Sequence, residues 1–133
     1  MLRVTIITIG KKLNAPFEAL GNEYNKRLGE KPRIELSWQR NENGLFEAAS
    51  RHKDPIFLAE KGRSLDSIGF AKALEERPDI TFVIGPAEGF SRPISAECWS
   101  LSPLTFPHQF AICVLLEQVY RAKTILENHP YHK

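Results

Sequence analysis

The sequence predicts an α/β domain built on a mainly parallel sheet. Two observations carry this: short β-branched, apolar runs of strand length recur along the chain, and stretches with helical periodicity separate them. A third sets the organisation. No internal repeat, low-complexity stretch or linker divides the 133 residues, so residues 1–133 form one domain. A chain of this length buries a real core but has no room for a separate substrate domain. Any active site is therefore compact or shared between subunits.

The elements follow in order. Leu2 to Ile9 is a β-branched run ending at Gly10, the pattern of a buried first strand. Pro16 opens a helix in which Phe17, Leu20, Tyr24 and Leu28 share one stripe, closed by Gly29. The segment "IELSWQ" alternates Ile34, Leu36 and Trp38 as a half-buried strand does. A short helix is expected over Leu45 to Arg51, and "PIFLAE", Pro55 to Glu60, reads as the third strand. Asp66 and Ser67 provide a cap for a helix carrying Phe70, Ala71 and Leu74, which Pro78 ends. "ITFVIG", Ile80 to Gly85, is the fourth strand. The stretch Ser91 to Gln109 is irregular, with four serines and three prolines. A final helix runs from near Pro107 to about Asn128, with Ala111, Val114, Leu115, Gln118, Ala122 and Ile125 on one broad face.

Composition excludes several classes. With 42% hydrophobic and 26% charged residues the chain is globular rather than disordered. Its apolar runs are too short or too interrupted to span a membrane. Met1 leads straight into a strand, with no basic region or cleavage site of a secretion signal, so a cytoplasmic location is expected. Cys98 and Cys113 suit free core thiols in a reducing compartment. A formal charge of +2 falls short of the density that announces nucleic acid by itself. The basic residues nevertheless fall in groups, Lys11 with Lys12, Lys26 with Arg27, and Arg51 with Lys53, which suit solvated faces or a phosphate-facing surface.

In open α/β sheets ligands bind beyond the carboxyl ends of strands, which directs attention to the loops after Glu60, Gly85 and Leu101. "IGPAEGFS" places Gly85 and Gly89 after a strand, but neither glycine-rich phosphate fingerprint is present. "SLSPLTFPH", Ser100 to His108, sets Leu101, Leu104 and Phe106 among hydroxyls, which suits either a buried connection or an apolar pocket with a few placed polar groups. The closing "HPYHK" concentrates two imidazoles, a phenol and a cation. Its spacing matches no strong zinc pattern, so no metal is expected. Ser91 or Ser102 with His108 and Asp79 lacks the nucleophile elbow of a hydrolase.

"FVIGPAEGFS", then "SLSPLTFPHQFA", then "LLEQVYRAKTILENHPYHK" occur in that order. In these motifs the sequence resembles the ribosomal RNA large subunit methyltransferase H family, small SPOUT-class enzymes that methylate N3 of a pseudouridine in 23S rRNA. The match is strongest from Phe57 to Lys133. The resemblance implies a SPOUT-type trefoil-knotted fold, a homodimer, and S-adenosylmethionine as cofactor. Knots are rare enough that periodicity alone would not suggest one. Carried over by position, the cofactor pocket comprises Leu58, Gly85 and the run Leu101, Ser102, Pro103, Leu104, Thr105 and Phe106. Two departures stand out: Pro86 replaces a second glycine, removing a backbone donor, and Ala59 stands where an acidic residue is usual.

The resemblance also assigns the closing segment to catalysis over a cofactor pocket that a partner subunit can supply. His129 and His132 are candidates for general base or carbonyl donor, Tyr131 for stacking or hydrogen bonding to the base, and Arg121 and Lys133 for RNA phosphates. The implied partner is 23S rRNA within the assembled ribosome, recognised by shape. The alternative is a non-catalytic ribosome- or RNA-binding protein of the same fold, and cofactor affinity separates the two.

Overall fold

The computed structural model describes residues 1–133. Its five strands are β1 (Arg3–Ile9), β2 (Arg33–Gln39), β3 (Ile56–Ser64), β4 (Asp79–Ile84) and β5 (Glu97–Ser100). Four helices accompany them: α1 (Ala15–Leu28), α2 (Glu42–Ser50), α3 (Ser67–Leu74) and α4 (His108–Leu126). All pairings are parallel, in the order β2-β1-β4-β3-β5. The α/β expectation holds, and this order is compatible with a trefoil connection.

Alternation along the central strands divides the core between two faces. Val4, Ile6, Ile80, Phe82 and Ile84 join Leu74, Leu115, Leu116 and Val119 in the larger cluster, under α1, α3 and α4. Ile7, Phe57 and Val83 face the other way, onto Leu45, Ala48 and Ala49 of α2. A sheet covered on both faces explains why its inner strands read as continuous apolar runs. Side chains cap the starts of α2 and α3. Asn41 accepts the Gly44 N–H at 2.9 Å and Asp66 accepts that of Gly69 at 2.7 Å, caps worth about 1 kcal/mol each.

Five elements depart from expectation. Helix α2 starts at Glu42 rather than Leu45, because Asn41 supplies the cap. Strand β3 continues to Ser64, where a register shift between Leu58 and Arg63 lets the chain leave β5 and rejoin it. The four-residue edge strand β5 lies inside the stretch read as irregular. On α4 the buried face is Ile112, Leu115, Leu116, Val119 and Ala122, offset from the expected one. Ala111, Val114, Gln118 and Ile125 are consequently only half-buried. The α1 stripe is similarly split, since Leu28 is buried while Leu20 is exposed. Cys113 is a buried free thiol as expected, whereas Cys98 is only half-buried. No helix is long and apolar enough to cross a membrane.

Candidate active site

The middle of β3, the carboxyl ends of β4 and β5 and the first turn of α4 enclose a cleft of about 540 Å³. Leu58, Gly85, Leu101, Ser102, Leu104, Thr105 and Phe106 line it, so seven residues from three separated segments meet at one place. Pro103 does not line it, and Leu104 turns largely outward, at 69% exposure. Ile84, Phe90, Ile94, His108 and Ala111 line it as well; of these only Ile94 lies outside the motifs singled out in the sequence.

Each loop is held by identifiable contacts. Thr105 donates its hydroxyl hydrogen to Glu60 at 2.7 Å, clipping the loop after β5 to the displaced part of β3. Ser102 accepts the Leu104 N–H at 3.0 Å and Ser100 donates to the Ser102 carbonyl at 3.0 Å, so the serines of this run brace its turn. Phe90 seals the loop after β4 by packing with Phe46 and Phe57, centroids 5.4 to 5.8 Å apart. Its ring also explains Gly85. A methyl group on Gly85 would lie 2.7 Å from that ring, so no larger residue fits without moving Phe90.

The same loop is clamped to α2 electrostatically. Glu42 accepts the Ser91 N–H at 2.8 Å and its O–H at 2.6 Å. Arg92 lies over the Phe46 ring at 4.3 Å and hydrogen-bonds Asn43. The Ser91 hydroxyl and then the Ser91 amide lower the Glu42 carboxyl below the ordinary glutamate range. A carboxyl lowered in the folded state gives a clamp fully present above the ordinary range and lost as pH falls through the lowered value. The Ser91 amide resonance should therefore titrate below the ordinary glutamate range, and Glu42→Gln should abolish that titration. An amide indifferent to acid would refute the clamp.

A second cluster lies at the other end of α4. Arg121 donates to Glu117 through Nη2 at 2.7 Å and through Nε at 3.2 Å, and Tyr131 donates to the same carboxylate at 2.9 Å. The Arg121 guanidinium also lies 4.8 Å from the Tyr131 ring, and Tyr120 meets that ring edge-on. Burial, and then the bond to Glu117, push the Tyr131 phenol up to about 12, so it is a donor and not a base. Arg121 Nη1 stands 3.0 Å from His132 Nδ1. A guanidinium only donates, so Nδ1 accepts, and the neutral ring carries its proton on Nε2. His129 and Lys133 are exposed, the former anchored only by its backbone N–H to Thr124 at 2.8 Å.

The closing segment and the cleft do not meet within the chain. Arg121 is thirteen residues beyond His108 on α4, roughly 20 Å along the axis. None of Arg121, His129, Tyr131, His132 or Lys133 lines the cleft. Sequence reasoning missed Glu117, although its place four residues before Arg121 on a helix was a readable ion-pair signal.

A parallel α/β sheet with a partly apolar cleft beside its strand ends and no glycine-rich phosphate loop is compatible with a methyltransferase, and family comparison supplies the assignment. The chain belongs to the SPOUT methyltransferase family, whose model, described as "Predicted SPOUT methyltransferase", matches residues 2–132. Among individual relatives, the ribosomal RNA large subunit methyltransferase H of Protochlamydia amoebophila is 39% identical, with 100% of both chains covered. The protein of that name from Acholeplasma laidlawii is 35% identical over 99% of this chain and 100% of its own. That from Legionella pneumophila strain Lens is 35% identical over 100% of both.

Proposed function

We propose that the protein methylates N3 of a pseudouridine in 23S rRNA of assembled ribosomes, in the cytoplasm, as a homodimer using S-adenosylmethionine. One observation carries the reading: residues far apart in sequence, Leu58, Gly85 and Leu101 to Phe106 apart from Pro103, line a single cleft in a methyltransferase fold. The residues present fit this cofactor. Leu58, Ile84, Leu101 and Phe106 offer an apolar enclosure for a flat base, and Glu60, Glu88, Lys61 and Arg92 at the same cleft provide charges of both signs for an amino-acid end.

When bound, the cofactor supplies a methyl group already activated by its sulfonium. The chain must orient the acceptor and remove one proton. His132, held by Arg121 with its proton on Nε2, donates to a uracil carbonyl as charge builds on the ring. His129, free of side-chain partners, takes the N3 proton on a ring nitrogen. Tyr131 stays a neutral phenol packed on Arg121 and fixes the segment that carries both histidines. Arg121 is already engaged by Glu117, so its part is to orient the segment, and the exposed Lys133 is the phosphate contact.

The separation of cluster and cleft supports a dimer in which one protomer's closing segment covers its partner's cleft. The exposed Leu20 and Phe110 and the half-buried flank of α4 supply apolar surface for such pairing. A non-catalytic ribosome-binding protein is the second reading, favoured by Pro86, which removes a donor at the cleft. Calorimetry with S-adenosylmethionine, followed by methyl transfer to ribosomes and nucleoside mass spectrometry, decides between them. Saturable binding and N3-methylpseudouridine are expected, with free 23S rRNA a poor acceptor. A folded dimer without cofactor affinity or transfer would favour the binding protein, and equal rates on free rRNA would refute recognition of the assembled particle.

A further inference from the structure

His108 is the first residue of α4 and bridges the ends of two strands beneath the cleft. Its Nδ1 lies 3.1 Å from the Gly85 carbonyl oxygen and its Nε2 lies 3.0 Å from Thr8 Oγ1. Thr8 is fully buried, and its hydroxyl lies 3.1 Å from the Ile84 carbonyl. A carbonyl accepts and never donates, so the ring must carry a proton on Nδ1. The ring can take either of two satisfied states at Thr8. A neutral ring receives the Thr8 hydrogen at Nε2, and a protonated ring donates to Thr8, which passes its own hydrogen to Ile84. Both leave the bond to Gly85 intact.

That bond matters because of the next residue. Pro86 has no N–H, so the peptide joining Gly85 to Pro86 has one polar group, its carbonyl. Gly85 is buried and Phe90 packs against its α-carbon, so the carbonyl has little access to water. We propose that His108 is a positioning residue: by donating from Nδ1 to the Gly85 carbonyl it fixes the donor-free Gly85–Pro86 peptide and thereby the shape of the cleft floor against which S-adenosylmethionine binds. This rests on the cofactor reading given above and extends it to a residue that makes no transfer itself.

The test compares His108→Ala, His108→Asn and His108→Gln with the parent in calorimetric titration by S-adenosylmethionine. An asparagine amide reaches the place of Nδ1 and retains the Gly85 bond, whereas glutamine reaches toward Thr8 instead. Alanine and glutamine should weaken binding about tenfold, the effect of an orphaned buried acceptor, with asparagine close to the parent. Equal losses in all three would reduce His108 to packing, and parent-like affinity in the alanine variant would remove any role. Nitrogen-15 spectra of the imidazole supply a readout that needs no ligand: Nδ1 should carry a proton throughout. An unprotonated Nδ1 overturns the proposal whatever the calorimetry shows. A parent without affinity refutes the cofactor reading and the ligand named here, while the imidazole spectra still decide the Gly85 contact.

Discussion

Two inactive variants, mixed, should methylate ribosomes. The first lacks His129 to Lys133; the second carries Ala59→Trp, which fills the cleft that Ala59 lines. Losing the acid–base groups of the closing segment should slow single-turnover methylation about 10²–10⁴-fold. Filling the cleft should abolish cofactor binding. If the segment acts across the dimer, a mixed dimer pairs an intact cleft on one protomer with an intact segment on the other. Random assortment makes half the dimers mixed, each with one complete site of two, so the mixture should recover roughly a quarter of parental activity. A mixture as inactive as its components would mean that the segment serves its own protomer.

Gly62→Ala should destabilise the protein by about 3 kcal/mol, the upper part of the range for overpacking. A methyl group there would lie 2.6 Å from the Trp99 carbonyl carbon and 2.8 Å from the Trp99 nitrogen. The obstruction is backbone, and it belongs to the strand that β3 rejoins after its register shift. Neither a rotamer change nor a small side-chain movement relieves it. Trp99 is 1% exposed and packs on Phe70 and Phe82, so displacement of β5 would spread into the larger core. Thermal unfolding should fall by about 10 °C. Gly44→Ala is the control: it sits in α2 with no neighbour closer than 3.5 Å, and should be neutral or stabilising by up to about 1 kcal/mol. Equal melting temperatures for Gly62→Ala and the parent would show that β3 and β5 separate at little cost.

Strand and helix alternation was readable because β1 and β4 are covered on both faces, and the only polar residues buried within them are the β-branched threonines Thr5, Thr8 and Thr81. Strand β5 was hidden by its length of four residues and its edge position, where the chain needs only pair along one side. The face of α4 was misplaced for a different reason. From Phe110 to Leu116 every residue is apolar, so periodicity cannot choose between the flank packed on the sheet and the flank beside it. The cleft was legible chiefly through its motifs, Gly85 and Leu101 to Phe106. Ile94 lies outside those motifs and joins the site only through folding. The pairing of Arg121 with His132, which sets the histidine's tautomer, spans a helix end and a turn that spacing does not describe.

Helix α4 carries His108 at one end and Arg121 near the other with no break between them. It thus acts as a gauge block with an angular scale as well as a length. One inserted residue between them would lengthen it by about 1.5 Å and turn the distal cluster by about 100°. Four would bring it nearly back into phase, about 6 Å farther out. Point substitutions along the exposed flank leave this scale untouched, whereas insertions and deletions reset it. Between these two residues the chain is therefore freer to change its letters than its count.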